Sequence, residues 1–142
     1  MLKIKESYAT LPAQDIERAR KFYEQKLGLT ADVVSADGSI NFKTGNSGFS
    51  VFPSSGKPSG DHTQIALEVI DVVATVSELK KNGVSFEDYD FPGFKTEGGI
   101  LDMGGFKTAW FKDSEGNLLN LSQRAEVAEK AAGGRSSTTN GN

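Results

Sequence analysis

An α+β domain built from two βαβββ modules, whose facing four-stranded sheets enclose a cup, is what this sequence predicts. Three observations predict it. Two amphipathic helices carry matching caps, each helix follows a short alternating strand, and the ends of the two halves align residue by residue.

The first helix is expected over residues 15–27. Ile16, Ala19, Phe22, Tyr23 and Leu27 fall on one face, Asp15 caps the start and Gly28 ends it. Residues 71–82 repeat the design, with Asp71 as cap, Val72, Val73, Val76 and Leu79 as the apolar stripe, and Gly83 after the end. Lys80 and Lys81 sit in the last turn, where positive charge complements the helix dipole. Counting back from the two capping aspartates aligns Tyr8–Asp15 with Gln64–Asp71, so Leu11 meets Leu67 and Ala13 meets Val69. The module ends align without a gap, Ile40–Phe52 on Ala109–Leu121.

Further extended stretches are expected near Ser85–Asp90 and Ile100–Met103, with turns at Phe91–Gly93 and Gly104–Gly105. The Asp113–Asn117 segment reads as a hairpin loop with Gly116 at positive φ. Module 1 thus covers residues 1–53 and module 2 residues 63–123. A Ser-, Gly- and Pro-rich linker, 54–62, joins them. Residues 124–142 form a C-terminal extension, of which at least 133–142 carry no apolar anchor and are expected to be flexible.

Composition narrows the function. The chain has 142 residues, 25% charged and 37% hydrophobic, which is enough for one self-sufficient core. A net charge of −3 with interspersed signs offers no basic stripe, so nucleic acid is not an expected partner. The absence of cysteine excludes disulfides and thiolate chemistry and fits a reducing compartment. No apolar run reaches the length of a membrane span and the start resembles no signal peptide; the expected location is the cytoplasm.

Strand alternation assigns faces. Ala9, Leu11 and Ala13, and equally Ile65, Leu67 and Val69, pack under the helices. Tyr8, Thr10 and Pro12, and Gln64, Ala66 and Glu68, then face the cup. Leu119, Leu121 and Phe111 are core, which turns Leu118, Asn120, Ser122 and Trp110 inward, with Val51 as the first-module match of Asn120. The expected ligand-binding set is therefore Tyr8, Thr10, Gln64, Glu68, Trp110 and Asn120. Catalytic candidates are Glu68, Tyr8 and His62, the sole histidine, which lies beside Asp61 in the linker. The residues alone leave open whether each is a ligand contact or an ordinary solvated strand residue.

Three segments carry a family resemblance: Leu11–Tyr23 (LPAQDIERARKFY), Leu27–Leu29 (LGL) and Trp110–Asn117 (WFKDSEGN). In order and spacing they resemble the vicinal oxygen chelate superfamily, which groups glyoxalase I, bleomycin-resistance proteins and extradiol dioxygenases. The resemblance spans residues 1–123. Tyr89–Gly93, Lys95–Ile100 and Ala109–Phe111 look like a widespread bacterial branch of it. It implies the glyoxalase/bleomycin resistance-like fold. It also implies that metal ligands, where members have them, stand at the positions of Tyr8, Gln64, Val51 and Asn120. Family enzymes usually offer His, Glu or Gln there, and here only Gln64 can ligate. No metal or other cofactor is expected.

Three functional readings follow. The first is a metal-free protein that binds a small molecule in the cup, in the manner of the drug-sequestering members. The second is a glyoxalase-like lyase or isomerase using acid–base groups or a weak metal site. The third is a structural or partner-binding module whose cup is filled by its own side chains. A homodimer is expected, because the fold leaves sheet edges that a second copy can cover.

Overall fold

The computed structural model describes residues 1–123 of the chain; the expected C-terminal extension, 124–142, lies outside the described residues. Module 1 contains β1 (Ala9–Ala13), α1 (Ile16–Lys21), which continues as a π-helical turn over Phe22–Lys26, β2 (Ala31–Val34), β3 (Ile40–Thr44) and β4 (Ser47–Pro53). Module 2 contains β5 (Thr63–Glu68), α2 (Val72–Lys81), a two-stranded hairpin of β6 (Asp90–Phe91) and β7 (Phe94–Lys95), then β8 (Ile100–Asp102), β9 (Lys107–Lys112) and β10 (Leu118–Gln123). The sheets have equivalent orders, β1-β4-β3-β2 and β5-β10-β9-β8, with the first pair of each parallel and the rest antiparallel.

The caps form as the sequence implies. Asp15 accepts from the Arg18 N–H and Asp71 from the Ala74 N–H, both at 3.0 Å. The stretch expected to be extended near Ser85–Asp90 joins the sheet only through a bridge from Phe86 to Phe111, and Asp90 begins the separate hairpin. Its placement rests on Asp88, which accepts from Thr96 Oγ1 at 2.9 Å and the Gly99 N–H at 3.0 Å. Gly99 has φ +85°, and a Cβ there would sit 2.7 Å from Phe86 Cβ, so only glycine allows this approach.

One alignment in the sequence changes. Leu11 pairs with Val51 in module 1 and Leu67 with Leu121 in module 2, so Val51 corresponds to Leu121 and Ser50 to Asn120. Val51 is fully buried on the helix side and does not face the cup. The cause is hairpin length. Between the equivalent pairs Lys43–Gly48 and Lys112–Leu118 the first module has four residues and the second five. A gapless comparison therefore slips by one at the turn, and a slip of one in a strand exchanges its faces.

Both modules contribute to a single core. Leu11, Ile40, Phe42, Phe49 and Val51 join Val72, Val76, Ala109, Phe111, Leu119 and Leu121 in one cluster, and Phe22 of module 1 lies 6.4 Å from the Phe111 ring of module 2. The longer hairpin holds the modules together. Asp113 is buried and accepts four hydrogen bonds: from Tyr23 Oη (2.6 Å), Asn117 Nδ2 (2.8 Å) and the Glu115 and Asn117 N–H groups (2.8 and 2.9 Å). Asn117 Nδ2 also donates to Pro12 O at 3.0 Å. Glu115 takes a forked pair from Arg18, at 2.8 and 2.9 Å, and the Asp15 N–H at 3.1 Å. Gly116, at φ +95°, closes the turn that presents these groups.

These contacts shift two ionisations. Burial, then the Asp113 charge, raises the Tyr23 phenol well above its ordinary value, so it stays a donor. Hydrogen bonding from Arg18 lowers the Glu115 carboxyl from 4.5 to about 2 against its own burial. Because the folded value is the lower one, this stabilisation is complete above about pH 4.5 and is lost as pH falls toward 2. Urea midpoints measured across that window should fall steeply for the parent chain and less steeply for Glu115→Gln, whose amide does not titrate. Equal slopes would mean that Glu115 has no depressed ionisation.

Candidate functional site

The cup face of the second sheet is built in rows. Ala66, Asn120 and Trp110 are register partners across β5, β10 and β9; Glu68, Ser122, Thr108 and Leu101 form the next row. The two rows sit opposite Leu67, Leu119 and Leu121, so the alternation that buries the core produces the inner surface. The β6–β7 hairpin leans on this surface. Tyr89 and Phe94 stand 5.5 and 5.6 Å from the Trp110 ring, and Phe91 lies 6.2 Å from both Tyr89 and Phe94. The Glu87 N–H ties the same segment to Trp110 O at 2.8 Å.

Beside Trp110 and Phe94 the second sheet carries an open depression of about 310 Å³, lined by module 2 alone. Its apolar walls are Trp110, Phe94, Leu101, Met103 and Phe106, and its polar members are Thr63, Thr108, Asn120 and Ser122. The polar members are engaged with protein partners. Asn120 Nδ2 donates to Thr108 Oγ1 and to Ala109 O, and Asn120 Oδ1 accepts from Ser122 Oγ. Thr108 Oγ1 donates to Leu121 O at 2.9 Å, and Trp110 Nε1 donates to Thr63 Oγ1 at 3.1 Å. None of the lining residues is titratable. The cavity offers a wall of rings and methyl groups with its polar atoms already committed.

The six residues expected to bind a ligand do not all meet here. Trp110 and Asn120 share the cavity. Tyr8 is 61% exposed just before β1 and lines a separate depression with Asn41 and Asn46. Glu68 is exposed at the end of β5 and lines a third cavity on the side of the β3–β4 hairpin. Thr10 is exposed beside Ser50, and Gln64 is half-buried where the β5–β10 register shifts; neither lines these cavities, and nor does the exposed His62, whose Nδ1 is 3.3 Å from Thr63 O. Asn120 is 6% exposed, and its amide bonds its own strand neighbours.

Thr108 was legible from alternation two residues before Trp110. Phe94 was not, since it follows the Phe91–Gly93 turn in a stretch read as no strand, and only the fold brings it to Trp110 of β9.

The model of the Glyoxalase/Bleomycin resistance protein/Dioxygenase superfamily matches residues 7–121. The chain belongs to this superfamily. No curated protein sequence matches it. Among solved structures, UcmS2 is similar at TM-score 0.66 and 19% identity, covering 85% of this chain and 98% of that one. The genomically encoded fosfomycin resistance protein FosX from Listeria monocytogenes is similar at TM-score 0.65 and 15% identity, over 86% and 94% of the two chains. A putative glyoxalase family protein from Bacillus anthracis is similar at 0.64 and 17%, over 87% and 99%. At these identities the likeness is one of fold.

Metal-dependent members of the superfamily raise the question of whether this chain's residues fit a divalent ion, and they do not. At the four positions stand Tyr8, Gln64, the core residue Val51 (with Ser50 as its cup-facing neighbour) and an Asn120 whose oxygen already accepts from Ser122. Tyr8 and Gln64 do not share the Asn120 cavity, and no group of three or more His, Cys, Asp or Glu that could hold a metal occurs among the described residues.

The amide network carries a stability consequence. Asn120→Leu takes the acceptor from Ser122 Oγ and the amide donor from Thr108 Oγ1 and Ala109 O, and should cost about 1–3 kcal/mol. Leu121→Ala opens the core and should cost about 2–5 kcal/mol. Equilibrium denaturation of both variants checks this; an Asn120→Leu protein as stable as the parent would mean that the network contributes nothing.

Proposed function

We propose that this chain is a small-molecule binding protein that works without a metal, and that its ligand is compact and apolar or aromatic. The observation that carries this reading is the state of the cavity beside Trp110. Its polar atoms bond one another, so a ligand gains by burying apolar surface against rings and methyl groups, at about 25 cal/mol per Å². A volume of about 310 Å³ stands at the small end of ligand sites. The catalytic candidates Glu68, Tyr8 and His62 all lie outside it, which favours retention of a molecule over its turnover.

A homodimer fits the same reading. Val33 and Val34 are exposed on β2, the outer strand of the first sheet, and a partner covering that edge would remove both from water.

Trp110 is the only tryptophan in the chain, which makes the cavity its own reporter. Titration with neutral aromatic compounds such as indole and naphthalene should give a saturable change in its emission, unaltered by dialysis against a chelator. Phe94→Ala should weaken that binding at least tenfold. A flat response to every neutral aromatic tested, or a response that appears only with added divalent metal, would overturn the proposal.

A further inference from the structure

The two modules are related by an internal repeat, yet only one of the two equivalent hairpins docks. The Asp113–Asn117 hairpin of module 2 fills the groove beneath module 1, bonding Pro12 O, the Asp15 N–H, Arg18 and Tyr23. Repeat symmetry carries Pro12 to Glu68, Ala13 to Val69, Ala19 to Thr75 and Tyr23 to Leu79, and carries the docking hairpin to Thr44–Ser47. These residues are the walls of one cavity of about 570 Å³. The shorter hairpin spans it without filling it. Its Ser47 hydroxyl bonds back to Thr44 O at 3.2 Å, and no carboxylate stands where Asp113 does in the other half. At the position of the Tyr23 phenol stands the methyl-ended Leu79. With Leu27, Leu29, Leu67, Phe111 and Leu121, it makes the greater part of the wall apolar, while Glu68, Thr75 and the hairpin residues Thr44, Asn46 and Ser47 supply its polar part.

We propose that this undocked interface is a second small-molecule site, distinct from the cup cavity, which takes a neutral, apolar aromatic or alicyclic molecule. The occupant stands where the missing loop would be, between the Gly45–Asn46 tip and the α2 face. The cavity has nearly twice the volume of the one beside Trp110 and shares none of its lining residues, so the two sites fill independently. Its walls come from both modules, Leu27, Leu29 and the hairpin from one and Leu67, Leu79 and Leu121 from the other. Occupancy therefore bridges them on the side where neither hairpin supplies a lock among the described residues.

The probe is N-phenyl-1-naphthylamine, neutral and strongly apolar, added to full-length protein with isotope-labelled methyl groups. The methyl resonances of Leu27, Leu29, Leu67 and Leu79 should shift together along one saturation curve. Leu79→Phe and Ser47→Leu, which narrow the cavity from opposite walls, should each weaken that binding at least tenfold and leave the Trp110 response to indole unchanged. Shifts confined to Leu101 and Met103 would place the probe in the cup and overturn the proposal. So would a cavity that another part of the chain already closes, seen as Overhauser contacts to these methyls in free protein together with no response to the probe.

Discussion

The buried Asp113 carboxylate is the point on which the two halves of this molecule register. It organises its own hairpin through the Glu115 and Asn117 N–H groups and then reaches across the interface to Tyr23. A carboxylate removed from water and left unpaired would be strongly destabilising, so the four donors are a condition for folding the loop as it is. Asn117 is fully buried with both amide hydrogens used, on Asp113 and Pro12; its Oδ1 is the one buried side-chain polar atom among the described residues without a partner. Holding that loop against β1 and α1 fixes how the second sheet stands relative to the first, and so the shape of the cavity whose walls come from both modules.

From this constraint the asymmetry of the protein follows. A repeat with two equal locks would fill both grooves and have only the cup to offer. One residue fewer in the first hairpin, and Leu79 in place of a phenol, leave the second groove lined by leucines. The inner face of the second sheet is asymmetric too: its polar groups close on each other, and aromatic rings from a hairpin that module 1 lacks supply the remaining wall. What the chain retains is a well-packed frame beside apolar space.

Much of this frame was written locally and could be read. The two capping aspartates, the helix stripes and the strand alternation that turns Trp110 and Asn120 inward are each set by neighbours a few residues away. The hairpin slip was not readable, because one extra loop residue leaves both strands equally good in either register and only the partner strand decides. That is why Val51 went to the core while Ser50 took the cup side. The commitment of Asn120 was hidden for a different reason: its partners Thr108 and Ala109 come from the adjacent strand, and their distance depends on the finished sheet. The Tyr23–Asp113 bond, between residues far apart in sequence, has no local signal at all.

The cross-module lock is tested most directly by a double-mutant cycle on Tyr23→Phe and Asp113→Asn, with unfolding free energies measured in urea at neutral pH. A hydrogen bond to a buried carboxylate predicts a coupling energy of about 1.5–3 kcal/mol. Each single variant should also flatten little of the secondary structure, since both caps and both sheets remain. Additive losses, with coupling near zero, would contradict the account, because the two modules would then be held by their shared apolar core alone.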